Sequence, residues 1–147
     1  MFRGINAITI DSKGRLAVPA RCRDALGEQV VVTIDTEEAC LLLYPAKQWQ
    51  VIEDNLQRLP SFNAAARRIQ RLLIGHATDV LLDGNGRVLL PPLLRDYAHL
   101  DKHVVMIGQG NKFEIWDEPC WQTRRQQWLD EESAGDSLPD EMKTFFL

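Results

Sequence analysis

The sequence has few cysteines and no long hydrophobic run. Three of its 147 residues are cysteines, an odd number scattered along the chain, and their spacing matches neither a disulfide framework nor a metal site, so we expect reduced and mostly buried thiols. No apolar run approaches the roughly 20 residues that a membrane-spanning helix needs. Met1-Phe2-Arg3 leads directly into the first predicted strand, without the features of a secretory signal. These features predict a cytoplasmic protein that does not bind a membrane.

Recognisable catalytic and metal-binding motifs are also missing. No serine or cysteine stands in a nucleophile elbow, and the glycine-rich segments open no helix, as a phosphate-binding loop would. His99 and His103 lie four residues apart, but no third ligand accompanies them. We therefore predict a protein that is not an enzyme and has no cofactor, no metal and no small-molecule substrate.

The charge is small in total but unevenly distributed. The net charge of -4 argues on its face against a nucleic-acid partner. Acidic residues without any base occupy the segment from Asp130 to Asp140, whereas bases outnumber acids from Met1 to Gly27. The bases of this first segment are Arg3, Lys13, Arg15, Arg21 and Arg23. Its positive charge makes the first part of the chain a candidate for binding an anionic partner.

One short pattern occurs twice. Asp11-Ser-Lys-Gly-Arg15 returns seventy-two positions later as Asp83-Gly-Asn-Gly-Arg87, and each copy is followed by a proline and then by an Arg-Asp pair. The prolines are Pro19 and Pro91, and the pairs begin at Arg23 and Arg95. Two half-domains of one design therefore fill the chain.

Each copy predicts a tight hairpin turn. Asp suits the first position of a type I turn, and Gly in the left-handed region closes the hairpin with a bulge, as Asp11 and Gly14 would do in the first copy and Asp83 and Gly86 in the second. The turn does not require the arginine that follows. Arg15 and Arg87 therefore form either an ion pair with the Asp of the same turn or a contact outside the chain, and the sequence leaves both open.

The predicted elements give each half the order strand, hairpin, strand, short helix, two strands and long helix. Neither half could bury its sheet alone, so we expect the two to interlock into one compact α+β barrel. The predicted divisions are a first repeat over residues 1–60, a linking helix over 61–76 capped by Ser61, a second repeat over 77–130 and an acidic tail over 131–147.

The two copies differ in charge. Ser12-Lys13 in the first turn becomes Gly84-Asn85 in the second, and Arg21 becomes Leu93. We interpret the first repeat as the binding half and the second as its structural partner. The alternative is that Lys13 and Arg21 are ordinary solvated charges.

Several segments together resemble the bacterial MraZ family over nearly the whole chain. These segments are Met1-Phe2-Arg3-Gly4, the two Asp-x-x-Gly-Arg turns with their prolines, Cys40-Leu-Leu-Leu-Tyr-Pro45, Arg68-Ile-Gln-Arg-Leu-Leu-Ile-Gly-His-Ala77 and Asn111-Lys-Phe-Glu-Ile-Trp116. The resemblance implies two tandem AbrB-like hairpin and helix repeats that interlock in one swapped-hairpin β-barrel with flanking helices, a fold similar to that of AbrB and SpoVT regulators and MazE-type antitoxins.

The same resemblance implies a function. It implies a nucleoid-associated transcriptional regulator that binds short direct repeats of double-stranded DNA in the promoter of the division and cell-wall gene cluster, as a ring-shaped homo-oligomer. The family's paired motif falls on Asp11 with Arg15 and on Asp83 with Arg87. The first loop can place Lys13 and Arg15 in a groove of DNA, while Arg3, Arg21 and Arg23 neutralise phosphates.

Two other classes of function stay open. An antitoxin-like interaction module would use the segment from Leu138 to Leu147 to wrap a protein partner. A purely structural ring would need no basic polarity in the first repeat.

Overall fold

The computed structural model describes residues 1–135, 139 and 142. The first half contains β1 (Ile5–Thr9), β2 (Arg15–Ala17), α1 (Ala20–Leu26), β3 (Gln29–Ile34), β4 (Leu41–Pro45) and α2 (Ala46–Gln57). Helix α3 (Ala64–His76) joins it to the second half, which contains β5 (Thr78–Leu81), β6 (Arg87–Leu89), α4 (Pro92–Tyr97), β7 (His103–Gly108), β8 (Phe113–Asp117) and α5 (Glu118–Ser133). The predicted mixed α+β class and the repeated order of elements are confirmed.

The two halves exchange their first strands. Six strands form one antiparallel sheet in the order β1-β7-β8-β4-β3-β5. Strand β1 of the first half pairs with β7, with Ala7 opposite Val105, and β5 of the second half pairs with β3, with Val80 opposite Val30. The halves therefore interlock, because the edge strand of each lies in the sheet of the other.

The second strands of the two hairpins form a separate ribbon. Strands β2 and β6 pair antiparallel with each other, with Leu16 opposite Val88. Strands β1 and β5 remain the two ends of the six-stranded sheet within the described residues. The expected closed barrel is therefore not confirmed, because the chain bends at each hairpin loop and pairs β2 with β6 instead of closing the sheet.

The core lies between the ribbon and the inner face of the six-stranded sheet. Leu16 and Val88 of the ribbon are fully buried there, together with Val32, Leu43 and Phe113 of the sheet. Each such side chain stabilises the fold by about 1.5–3 kcal/mol relative to an exposed position. The core thus holds the ribbon, and the loops at its ends, against a rigid sheet.

Helices cover the outer face of the sheet. Tyr44 and Trp49 pack with Leu73 of α3 over β3 and β4, and Trp121 and Trp128 of α5 pack on Trp116. None of the described helices is long and apolar enough to cross a membrane.

The start of the linking helix differs from the sequence prediction. Asn63, not Ser61, caps α3, because Asn63 directly precedes the first helical residue and its side-chain oxygen accepts hydrogen bonds from the backbone N–H groups of Ala65 and Ala66. Helix α5 extends to Ser133. The segment from Leu138 to Leu147 lies outside the described residues apart from Pro139 and Met142.

Candidate nucleic-acid interface

Asp11 organises the first hairpin loop. One of its carboxylate oxygens accepts the backbone N–H groups of Lys13 and Arg15, each at 2.9 Å, and the other accepts Nε of Arg15 at 2.7 Å. These bonds, led by the backbone N–H of Arg15, lower the pKa of Asp11 to about 2. Gly14 closes the loop at φ +87°. The loop is therefore the predicted turn. Arg15 forms the ion pair with Asp11, and its contact with DNA stays a prediction.

The second loop repeats this frame. Asp83 accepts the backbone N–H groups of Asn85 at 2.8 Å and Arg87 at 3.0 Å, and Arg87 donates Nε to its other oxygen at 3.3 Å. The backbone N–H of Arg87 is the largest cause of a lowered pKa at Asp83. Arg87 also lies 3.7 Å from the Asp11 carboxylate. The two loops are therefore neighbours, and Arg87 bridges them.

Pairing through Nε leaves the tip of the Arg15 side chain outward. The described residues provide no hydrogen-bond partner for the two terminal nitrogens of Arg15, whose side chain is about one third exposed. In the ribbon, Arg15 lies opposite Leu89, and Ala17 lies opposite Arg87. These four residues share the outward face, since the intervening Leu16 and Val88 point into the core. The ribbon thus presents the tip of Arg15 on its outward face, whereas Nη1 of Arg87 lies beside the Asp11 carboxylate.

Arg23 lies under the loop of the opposite half. It donates Nε to the carbonyl of Val18 at 3.0 Å, and its guanidinium packs against Gly86, where an added Cβ would stand 2.1 Å from Arg23 Nε. Arg95 repeats the arrangement by donating to the carbonyl of Leu90 and packing on Gly14. The Arg23 side chain, which was predicted to contact a phosphate, is therefore also engaged in contacts within the protein.

Arg3 and Arg21 lie away from the loops. Arg21 donates to the side-chain oxygen of Asn6 at 2.5 Å and reaches the backbone beside Gly4, next to the exposed Arg3. At about 3.3 Å per residue, Asn6 stands roughly 16 Å along the strand from Asp11. The predicted binding residues thus divide into a loop pair, Lys13 and Arg15, and a separate pair at the start of β1.

Lys102 is a base near the first loop that the sequence analysis missed. It precedes β7, its carbonyl accepts the N–H of Ile10, and it lines a cleft with Asp11 and Ser12. Glu28 occupies the equivalent position beside the second loop, where its carbonyl accepts the N–H of Leu82. Both side chains are exposed. Only the exchange of strands brings Lys102 to the first loop, so no local pattern in the sequence could have found it.

One cluster of side chains could in principle hold a cation. Within the described residues, ligand atoms of Asp35, Cys40 and Glu114 lie within 4.8 Å of one another. Burial first, and then the charges of Glu114 and Asp35, raise the pKa of the Cys40 thiol, which disfavours the thiolate that a metal requires. Cys22 is buried and Cys120 exposed. We assign the cluster no metal role.

Comparison with known proteins gives consistent matches along the chain. The family model described as "MraZ protein, putative antitoxin-like" matches residues 1–72 and again residues 73–138. A protein of Legionella pneumophila named "Transcriptional regulator MraZ" is 72% identical over the full length of both chains. Proteins with the same name from Coxiella burnetii and Alkalilimnicola ehrlichii are 54% and 53% identical, also over the full length of both. The two model matches meet within helix α3, which links the two halves.

Proposed function

The chain belongs to the MraZ family, and on that premise we propose that it is a sequence-specific DNA-binding protein that regulates transcription. The name "Transcriptional regulator MraZ", carried by its full-length relatives, supports this role. Regulators of this kind act by binding, which agrees with the prediction that the chain is not an enzyme.

The first loop and the ribbon behind it carry this proposal. An antiparallel two-stranded ribbon fits the major groove of B-DNA, which is about 12 Å wide. The Asp11 carboxylate fixes Arg15 through Nε, so the two terminal nitrogens can pair bidentately with O6 and N7 of guanine. Lys13 and Lys102 stand at the same loop and would neutralise phosphates.

The remaining predicted contacts have different geometries. Arg3 and Arg21, at the start of β1, would touch the DNA backbone beyond the groove that holds the loop. Arg23 is the least exposed of the predicted phosphate contacts, because it packs against Gly86. The proposed binding surface therefore consists mainly of residues 1–60, with Lys102 added from the second repeat.

We further propose that the protein acts as a ring-shaped homo-oligomer in the cytoplasm, at the nucleoid, on direct repeats in the promoter of the division and cell-wall gene cluster. One loop would bind weakly, whereas a ring that displays several copies gains affinity from tandem sites without new contacts. Leu81 and Leu93 are more than half exposed, and their repeat equivalents are Thr9 and Arg21. These exposed apolar side chains of the second half support contact with another copy.

A titration with promoter DNA, combined with mass measurement by light scattering, tests the proposal. Identical loops on a ring can meet one face of a duplex only where its sequence repeats in phase, about 10 bp apart. Inserting about 5 bp between two repeats should reduce affinity to the single-site level, and inserting a full turn should restore part of it.

The possible results separate the function classes. All affinities are compared at one salt concentration, because the phosphate contribution depends strongly on ionic strength. A monomer that does not bind DNA would overturn the proposal and favour the antitoxin-like alternative. If the protein is an oligomer and its affinity for DNA is unchanged by the half-turn insertion, the loops bind independently of one another.

A further inference from the structure

The loop that would meet DNA is built from both halves of the chain. The carbonyl of Gly14 in the first loop accepts the N–H of Leu90 at 3.0 Å, and the carbonyl of Gly86 in the second accepts the N–H of Val18 at 2.9 Å. Each loop is therefore bonded to the strand end of the opposite half. In each loop the acceptor of this hydrogen bond is the backbone of the glycine that closes the turn.

An arginine completes each of these links. Arg95 donates Nε to the carbonyl of Leu90 at 3.0 Å, and its guanidinium lies flat enough against Gly14 that a Cβ added there would stand 2.7 Å from the guanidinium carbon. Arg23 makes the matching bond to Val18 and covers Gly86. Gly14 is thus required twice: for φ +87° and for the space that Arg95 occupies.

We propose that Arg95 is a positioning residue for the first loop, and that Arg23 has the same role for the second. Arg95 holds Gly14 from beneath, and so fixes the turn that carries Lys13 and Arg15, without itself contacting DNA. This inference rests on the proposed function for its effect on DNA binding. The contact between the halves rests on the structure alone.

Substitutions at Arg95 separate positioning from direct phosphate contact. We expect Arg95→Ala to lower affinity for promoter DNA about tenfold, the lower part of the range for losing one base contact. The slope of log affinity against log salt should stay unchanged, whereas a lost phosphate contact would reduce it by about 1. Arg95→Lys keeps the charge but loses the planar group and its Nε, so it should not restore affinity.

Arg23→Ala is the matched control. It removes the same side chain from beneath the second loop, which lacks a counterpart of Lys13. We expect an unchanged salt slope, which would exclude the phosphate contact predicted for Arg23. We also expect a smaller loss of DNA affinity than for Arg95→Ala, with a similar loss of thermal stability. Full rescue of binding by Arg95→Lys, or a reduced salt slope in Arg95→Ala, would overturn the positioning role.

A second experiment tests the contact without DNA. Gly14→Ala should lower the melting temperature because of both φ and the clash, and Arg95→Ala should relieve the part due to the clash. In the double variant the two effects should therefore be less than additive. Strict additivity would overturn the inference even if DNA binds. Non-additivity in a protein that ignores promoter DNA would instead leave the contact intact and refute the proposed function.

Discussion

Asp11 and Asp83 hold their loops in the same way, yet the surfaces around the two loops carry different charges. The first loop has Lys13 at its tip and Lys102 beside it, and the second has Asn85 and Glu28 in these places. The internal frame of each loop depends on backbone geometry, which tolerates little change, whereas exposed positions are free to differ. We infer that both loops stabilise the fold in the same way, whereas the proposed DNA contact falls mainly on the first loop.

Among the substitutions considered, Arg15→Ala should have the largest effect on DNA affinity. Loss of a bidentate base contact should cost about 1–3 kcal/mol per engaged loop, and tandem loops would multiply the loss. The fold should remain, because the pair with Asp11 is partly solvated and Asp11 keeps its two backbone bonds. DNA titration and circular dichroism measure the two effects. Binding as tight as wild type would show that this loop does not read the operator.

Charge substitutions at the equivalent flanking positions come next. Lys102→Glu should weaken DNA binding several-fold and reduce the salt slope by about 1, since Lys102 flanks the first loop. Glu28→Lys is the matched variant, and it should change affinity less if the second loop stays away from the duplex. Equal and opposite effects at the two positions would mean that both loops approach DNA alike.

Arg87→Ala sharpens the comparison in the other direction. Arg87 contacts the carboxylates of both Asp83 and Asp11, whereas Arg15 contacts Asp11 alone within the described residues. We expect Arg87→Ala to lower the melting temperature more than Arg15→Ala and to weaken DNA binding less. Differential scanning calorimetry and DNA titration on both variants check this. The reverse ranking in either assay would exchange the assigned roles.

Low pH should weaken the hydrogen bonds of Asp11 and Asp83 within the loops, with a smaller effect than the substitutions above. The pKa of Asp11 is lowered to about 2, so its stabilising contribution is complete above the unfolded value of 3.8 and is lost as the pH falls towards 2. Asp83, whose pKa is also lowered, should follow the same direction. Amide exchange at Lys13 and Arg15 should therefore increase relative to core amides below about pH 4. Protection that persists at pH 2 would contradict the role of the carboxylate.

Much of the fold could be predicted because its signals are local. The motif Asp-x-x-Gly-Arg predicts a bulged turn from backbone geometry, and Gly14 and Gly86 have the positive φ that such a turn requires. The predicted cap of α3 was wrong. Ser61 and Asn63 are both good N-cap residues, and only the observed start of α3 shows that Asn63 is the cap. The open sheet was missed because strand pairing is non-local.

The candidate site was also predicted only in part. Arg15 and Lys13 lie in the loop that was expected to carry them. Both were predicted to bind DNA, and the structure shows that Arg15 also forms the ion pair with Asp11 that the turn left open. Arg23 was assigned to phosphates from its charge alone, although its guanidinium lies against Gly86 of the other half. Whether it also meets DNA stays a prediction.

The sequence by itself determined the repeat, the two turns and the uneven charge, because each depends on residues close together in the chain. The tertiary structure decided which residues surround each loop. Exchange of β1 and β5 brings Lys102 and Arg95 to the first loop, and Glu28 and Arg23 to the second. Such partners are separated by more than fifty residues, and no local propensity encodes a contact that only packing between the halves creates.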